Sequence, residues 1–187
     1  MAISTRLITN ERSLEMQENK LEEIVDGEPR LMPSPSRVHA LLIERMAEIL
    51  REQLDRTTFR VLSTPFGLGV KRKPYLSYRV PDLAVYRDVE PARERDHYVW
   101  SAPELLVECL SPANRKGSVE KLLEDYALIR APEVWLIYPE QRAMRAYSFE
   151  EDRREQQFAG NEVLTPERLA GARVDLSEIW KVIPDSF

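Results

Sequence analysis

One cysteine, two histidines and six glycines in 187 residues remove several classes of chemistry at the outset. Cys109 has no partner for an internal disulfide, and a thiolate zinc cluster is excluded with it. His39 and His97 leave little material for a histidine-rich metal centre or a serine–histidine relay. Glycine is too sparse for a phosphate cradle: Gly67-Leu68-Gly69 lacks the rest of such a motif and reads as part of a strand or turn. No apolar stretch is long enough to span a bilayer, and the first residues lack the apolar run of an export signal. A cytoplasmic protein with no membrane partner is the expectation.

The formal net charge of −5 argues against a broadly basic surface, but it leaves room for a local cationic cleft. Lys71-Arg72-Lys73 and Arg115-Lys116 are the tight basic clusters, and such runs are ordinarily solvated loops. Hydrophobic residues at 43 % and charged residues at 32 % give an ordinary globular balance. The length suits one domain over residues 20–187, preceded by a polar arm over 1–19.

Hydrophobic spacing predicts the elements. Asp26-Gly27-Glu28 has hairpin-turn chemistry between Leu21–Val25 and Pro29–Met32. Ser36 can cap a helix running to about Leu54, with Val38, Leu41, Leu42, Met46, Ile49 and Leu50 on one face and His39 in its first turn. Phe59–Ser63 and Phe66–Val70 read as a strand pair turned at Thr64-Pro65. A helix starting near Gly117-Ser118 is expected to bury Val119, Leu122, Leu123, Tyr126 and Ile129 and to end at Pro132. Val134–Tyr138 reads as a strand buried on both faces, which makes a βαβ unit with the strand before the helix. Ala143–Phe149 and Arg153–Phe158 read as paired strands, and Val174, Leu176, Ile179 and Trp180 as a closing element. Trp100, Trp135 and Trp180 read as packing residues. The class is α/β with a mixed sheet.

Two acids interrupt this apolar pattern. Asp82 stands in Tyr78-Arg79-Val80-Pro81-Asp82-Leu83-Ala84-Val85-Tyr86, and Glu108 in Leu105-Leu106-Val107-Glu108-Cys109-Leu110. A carboxylate inside an apolar strand is costly unless it is paired or binds a cation. Two of them on strands able to lie side by side suggest a hard-metal site with oxygen ligands, and a lysine nearby would complete the parts for phosphodiester hydrolysis. The ordinary alternative is structural pairing, of Asp82 with Arg79 and of Glu108 in a strand-end salt bridge. Glu104 and Glu28 are weaker candidates, better read as a strand-start and a turn residue.

On these residues the chain resembles the Uma-type restriction endonuclease family of the PD-(D/E)XK nuclease superfamily. Tyr78-Arg79-Val80-Pro81-Asp82 and Val107-Glu108-Cys109-Leu110-Ser111-Pro112 carry the resemblance. Asp26-Gly27-Glu28, Pro33-Ser34-Pro35 with His39, Tyr126-Ala127, Pro132–Ile137 and Val174–Trp180 extend it over most of the chain. It implies a restriction-endonuclease-like mixed central sheet flanked by helices, with added N-terminal and C-terminal β-hairpins. It also implies that Asp82, Glu108 and the backbone carbonyl of Cys109 bind Mg2+, for which Mn2+ can substitute. DNA is the implied substrate, and a homodimer would bring the second site needed to cut both strands. The superfamily's usual lysine place is Leu110 here. The Uma-type position, on the following helix, is Leu122, with Lys121 one residue earlier. One residue is about 100° of helix rotation, so Lys121 is expected to turn away from the face of Leu122 and Tyr126 and to reach around it. Lys116 is the second catalytic candidate. The displaced lysine keeps an alternative open: a catalytically degenerate nuclease fold that binds nucleic acid or a protein partner.

Overall fold

The structure, a computed structural model, describes residues 22–63, 65–87, 98–112, 116–150 and 152–184. The arm expected over 1–19, His97 and Arg115 lie outside the described residues. The chain divides into two compact units, one drawn from residues 1–34, 65–81 and 92–101, the other from 35–64, 82–91 and 102–187.

In the first unit, β1 (Glu22–Val25) and β2 (Glu28–Leu31) form the expected antiparallel hairpin. Asp26 and Gly27 turn it at φ of 53° and 85°, the left-handed pair that matches the strand twist of a tight hairpin. The Asp26 N–H donates to Ser77 Oγ at 2.8 Å, and its carboxylate pairs with Lys71. With β4 (Gly67–Lys71), β5 (Ser77–Arg79) and β7 (Tyr98–Val99), these strands build a sheet in the order β2-β1-β5-β4-β7. Ile24 and Leu76 are its buried pair, packed by Tyr78, Tyr98 and Trp100. Arg79 lies 2.7 Å from Glu23 and Arg72 stacks 4.2 Å over Trp100.

In the second unit, Ser36 Oγ accepts the His39 N–H at 3.1 Å and so caps α1 (Arg37–Gln53), as its sequence predicts. Leu42, Ile43, Met46, Ala47, Ile49 and Leu50 form the buried face of α1. The sheet runs β11-β10-β9-β8-β6-β3, comprising β3 (Phe59–Leu62), β6 (Leu83–Arg87), β8 (Leu105–Cys109), β9 (Glu133–Tyr138), β10 (Ala143–Ser148) and β11 (Arg154–Ala159). β8 and β9 are parallel, joined through α2 (Lys116–Leu128), and every other neighbouring pair is antiparallel. The sheet is therefore mixed. Leu83, Val85, Leu105, Val107, Trp135 and Ile137 share one core with the α1 face. β12 (Val163–Leu164), β13 (Val174–Asp175) and α3 (Leu176–Trp180) close that core with Leu176, Ile179 and Trp180.

Two expectations need correction. Phe59–Ser63 and Phe66–Val70 do not pair with each other: β3 pairs with β6, and β4 with β5 and β7. Thr-Pro supplies neither left-handed residue of a tight hairpin, and a residue before proline favours extended backbone. On α2 the buried residues are Leu123, Asp125 and Tyr126, while Val119 and Leu122 are only partly covered. The helix ends at Leu128, before Arg130 turns left-handed at φ 61°.

Trp100 covers Gly69 closely enough that a β-carbon there would lie 2.4 Å from its ring. Gly69→Ala is expected to lower stability by about 1–3 kcal/mol in urea unfolding, the usual cost of overpacking. Adding Trp100→Leu should return part of that loss.

Candidate active site

The register of β6 on β8 pairs Leu83 with Val107, Ala84 with Leu106 and Val85 with Leu105. Continued one step beyond the strand, that register would set Asp82 opposite Glu108. Directly facing residues on antiparallel strands have Cα atoms about 5 Å apart, so the two carboxylates share one locality. Asp82 occupies the bend that enters β6. Its Oδ2 accepts the Cys109 N–H at 2.8 Å, and its Oδ1 lies 2.9 Å from His39 Nε2. His39 Nε2 is thus placed to donate to that carboxylate. The Ser36 cap that takes the His39 N–H fixes the first turn of α1 and with it the imidazole. At 15 % exposure the Asp82 side chain is only partly accessible to solvent. Glu108 is half-buried, and its Oε1 accepts the Tyr126 hydroxyl from α2.

Cys109 also lies here, but its thiol is buried in the core. Burial foremost, then the negative charges of Asp82 and Glu108, push the thiol up, so it stays protonated at neutral pH. Its contribution is its backbone: the N–H orients Asp82, and the carbonyl is the group expected to face a metal.

The lysines part company. Lys121 Nζ lies 3.0 Å from Asp125 Oδ1, one turn along α2, and the Asp125 side chain is only 4 % exposed. The Lys121 side chain itself stays a third exposed, with its ammonium tied to that buried acid. Lys116 opens α2 and is exposed. Glu104 is not an exposed strand start: at 14 % exposure it is held by Arg87 at 3.0 Å and Arg168 at 3.2 Å. Glu28 is exposed on β2 in the other unit. Sequence reasoning missed the buried Asp125 and the orienting contact of His39. Asp125 had a readable signal, an acid four residues after Lys121.

Among the described residues no group of three or more His, Cys, Asp or Glu could form a metal cage. The donors brought together are the hard oxygens of Asp82 and Glu108. This set fits magnesium, which is typically held by one or two carboxylates plus waters and substrate phosphate oxygens. Each ionised carboxylate has about four lone-pair sites, more than the contacts named above consume.

A mixed sheet between helices, with two acids at the β6–β8 junction, defines a restriction-endonuclease-like protein. The chain belongs to the Uma2 family: the model of that family, described as "Putative restriction endonuclease", matches residues 10–177. Among solved structures it is similar to a "putative nuclease belonging to DUF820" from Anabaena variabilis ATCC 29413, at a TM-score of 0.76 and 17 % identity. That match covers 94 % of this chain and 98 % of the other, and at such identity it speaks for the fold. None of the curated proteins matches the chain. Family and fold together support a nuclease-type function. Among the described residues no helix is long and apolar enough to cross a membrane.

The Cys109 thiol is expected to resist a disulfide-exchange reagent at pH 8 in the native chain and to react at once in denaturant. A stopped-flow absorbance trace of thiol release checks this, and rapid native reaction would contradict the raised thiol pKa.

Proposed function

We propose that this chain is a divalent-metal-dependent nuclease that hydrolyses phosphodiester bonds in DNA, with Asp82 and Glu108 holding magnesium or manganese. The observation that supports it best is the Asp82 carboxylate bound to the N–H of Cys109, the residue next to Glu108, and oriented through both of its oxygens. When bound, the cation would offset charge on the phosphate and lower the pKa of a water. The chain's own residues prepare that site. His39 and the Cys109 N–H hold the Asp82 carboxylate in one orientation, and Tyr126 does the same for one oxygen of Glu108. Lys121, tied to Asp125, is the preferred cation for charge developing on the phosphate oxygens; Lys116 is the alternative.

Relaxation of supercoiled plasmid with Mg2+ or Mn2+ tests the reading. Asp82→Asn and Glu108→Gln should each lose at least about 100-fold in rate, the scale of several kcal/mol of lost charge stabilisation. Chelator should abolish cleavage. Lys121→Met should lose more than Lys116→Ala; the reverse order would move the lysine role to Lys116. Cleavage indifferent to chelator and to both acid substitutions would reject the mechanism. Metal-independent DNA binding without any cleavage would favour the non-catalytic alternative.

A further inference from the structure

A groove of about 650 Å³ opens in the second unit between the start of α2, the end of β8 and the β9–β10–β11 strands. Its size falls within the range of small-molecule sites. Register ties it to the candidate active site. Glu108 pairs with Leu136 on β9, and Leu136 with Arg145 on β10, so the three form one cross-strand row. Val107, Cys109, Trp135, Ile137 and Met144 face the core, so this row lies on the other face of the sheet. Two strand spacings place the Arg145 backbone about 10 Å from that of Glu108. That is the reach of a neighbouring nucleotide.

The lining is peculiar in one respect. Arg145 lies 5.0 Å over the Tyr138 ring and Arg153 lies 5.1 Å over the Tyr147 ring. Each guanidinium is also held at its edge, Arg145 by Glu155 at 3.2 Å and Arg153 by Glu120. Each guanidinium thus has an aromatic ring on one side and a carboxylate partner, with its side chain still about a third exposed. Lys116, Arg145 and Arg153 are matched by Glu120, Glu140 and Glu155, so the groove carries no cationic surplus. A channel tracking several phosphates would need one. Planar stacking surfaces beside hydrogen-bond acceptors suit a nucleobase instead.

We propose that this groove binds an unpaired nucleotide of the substrate strand, its base stacked on the Arg145 or Arg153 plane and its N–H groups accepted by the groove's carboxylates. The substrate class that follows is single-stranded or locally opened nucleic acid. This rests on the nuclease reading above for its biological meaning, though not for its measurement.

The experiment is fluorescence anisotropy on the full chain in chelator, with a labelled mixed-sequence 12-mer DNA as single strand and as blunt duplex. Arg145→Lys and Arg153→Lys keep the charge and the carboxylate partner but remove the plate. Wild type should bind the single strand about tenfold more tightly than the duplex, and at least one of the two lysine variants should lose about five- to tenfold on the single strand, the scale of one lost stack. Duplex binding should stay within about twofold and the salt slope should not change, because no charge is removed. Thermal melts confirm that each variant is folded, and the second variant stands in if the first is not. Single-strand binding unchanged in both variants, equal losses on both probes, or binding of neither probe would overturn the proposal. Metal-dependent cleavage with unaltered single-strand affinity in both variants would sink this inference alone. A selective single-strand loss without metal-dependent cleavage would instead sink the nuclease reading.

Discussion

The Asp82 carboxylate is held from two directions, by the Cys109 N–H of the neighbouring strand and by His39 from the first turn of α1. The Cys109 contact exists because β6 and β8 meet in a single register, the His39 contact because α1 packs on the same core, and that core sets the register. Leu83 and Val85 of β6 and Leu105 and Val107 of β8 are all fully buried in one cluster. A slip of one residue would turn these side chains to the other face and carry Asp82 away from Glu108. Both faces of these strands are buried, so a slip would force the residues of one packed face into the other, at about 1–3 kcal/mol for each side chain that no longer fits. The placement of the acids is thus enforced by apolar packing, which spares the site from having to hold itself together against the repulsion of like charges.

Helix α2 contributes in a second way. Tyr126, fully buried, sends its hydroxyl to Glu108, while the residue before it, Asp125, is buried as well. A buried carboxylate needs compensation, and Lys121 stands one turn earlier, where an i,i+4 pair forms without strain. Lys121 and Asp125, four residues apart, share one face of α2, so helix phase and charge together set where the ammonium lies.

Much of the fold was legible where one local rule dominates. Asp26-Gly27 announces its hairpin because only left-handed residues close such a turn, and Ser36 announces α1 because its side chain can take an orphan N–H. The parallel β8–β9 pair was legible from an apolar run long enough to be buried on both faces and a helix long enough to cross over. The partners of β3 and β4 were not: each strand is short and carries no mark of its neighbour, so adjacency in sequence was a poor guide. For the site, Asp82 and Glu108 stood out as acids in apolar runs. His39 was marked by its place in the first turn of α1, but its partner was not, because Asp82 is 43 positions away and the contact depends on the direction the helix takes.

Residue order alone was enough to mark most of the elements and the two acids, since turns, caps and burial patterns depend on a few neighbouring side chains; it read Tyr78–Tyr86 as one run, which the structure divides into β5 and β6 of two sheets. The pairings across the chain came from packing: Asp82 with His39 and Cys109, Glu108 with Tyr126, Lys121 with a buried Asp125. Such contacts are chosen by the register of strands and the phase of helices around a shared core. Those are properties of the whole assembly, because they minimise exposed apolar surface and unpaired charge together, and no local segment carries that balance by itself.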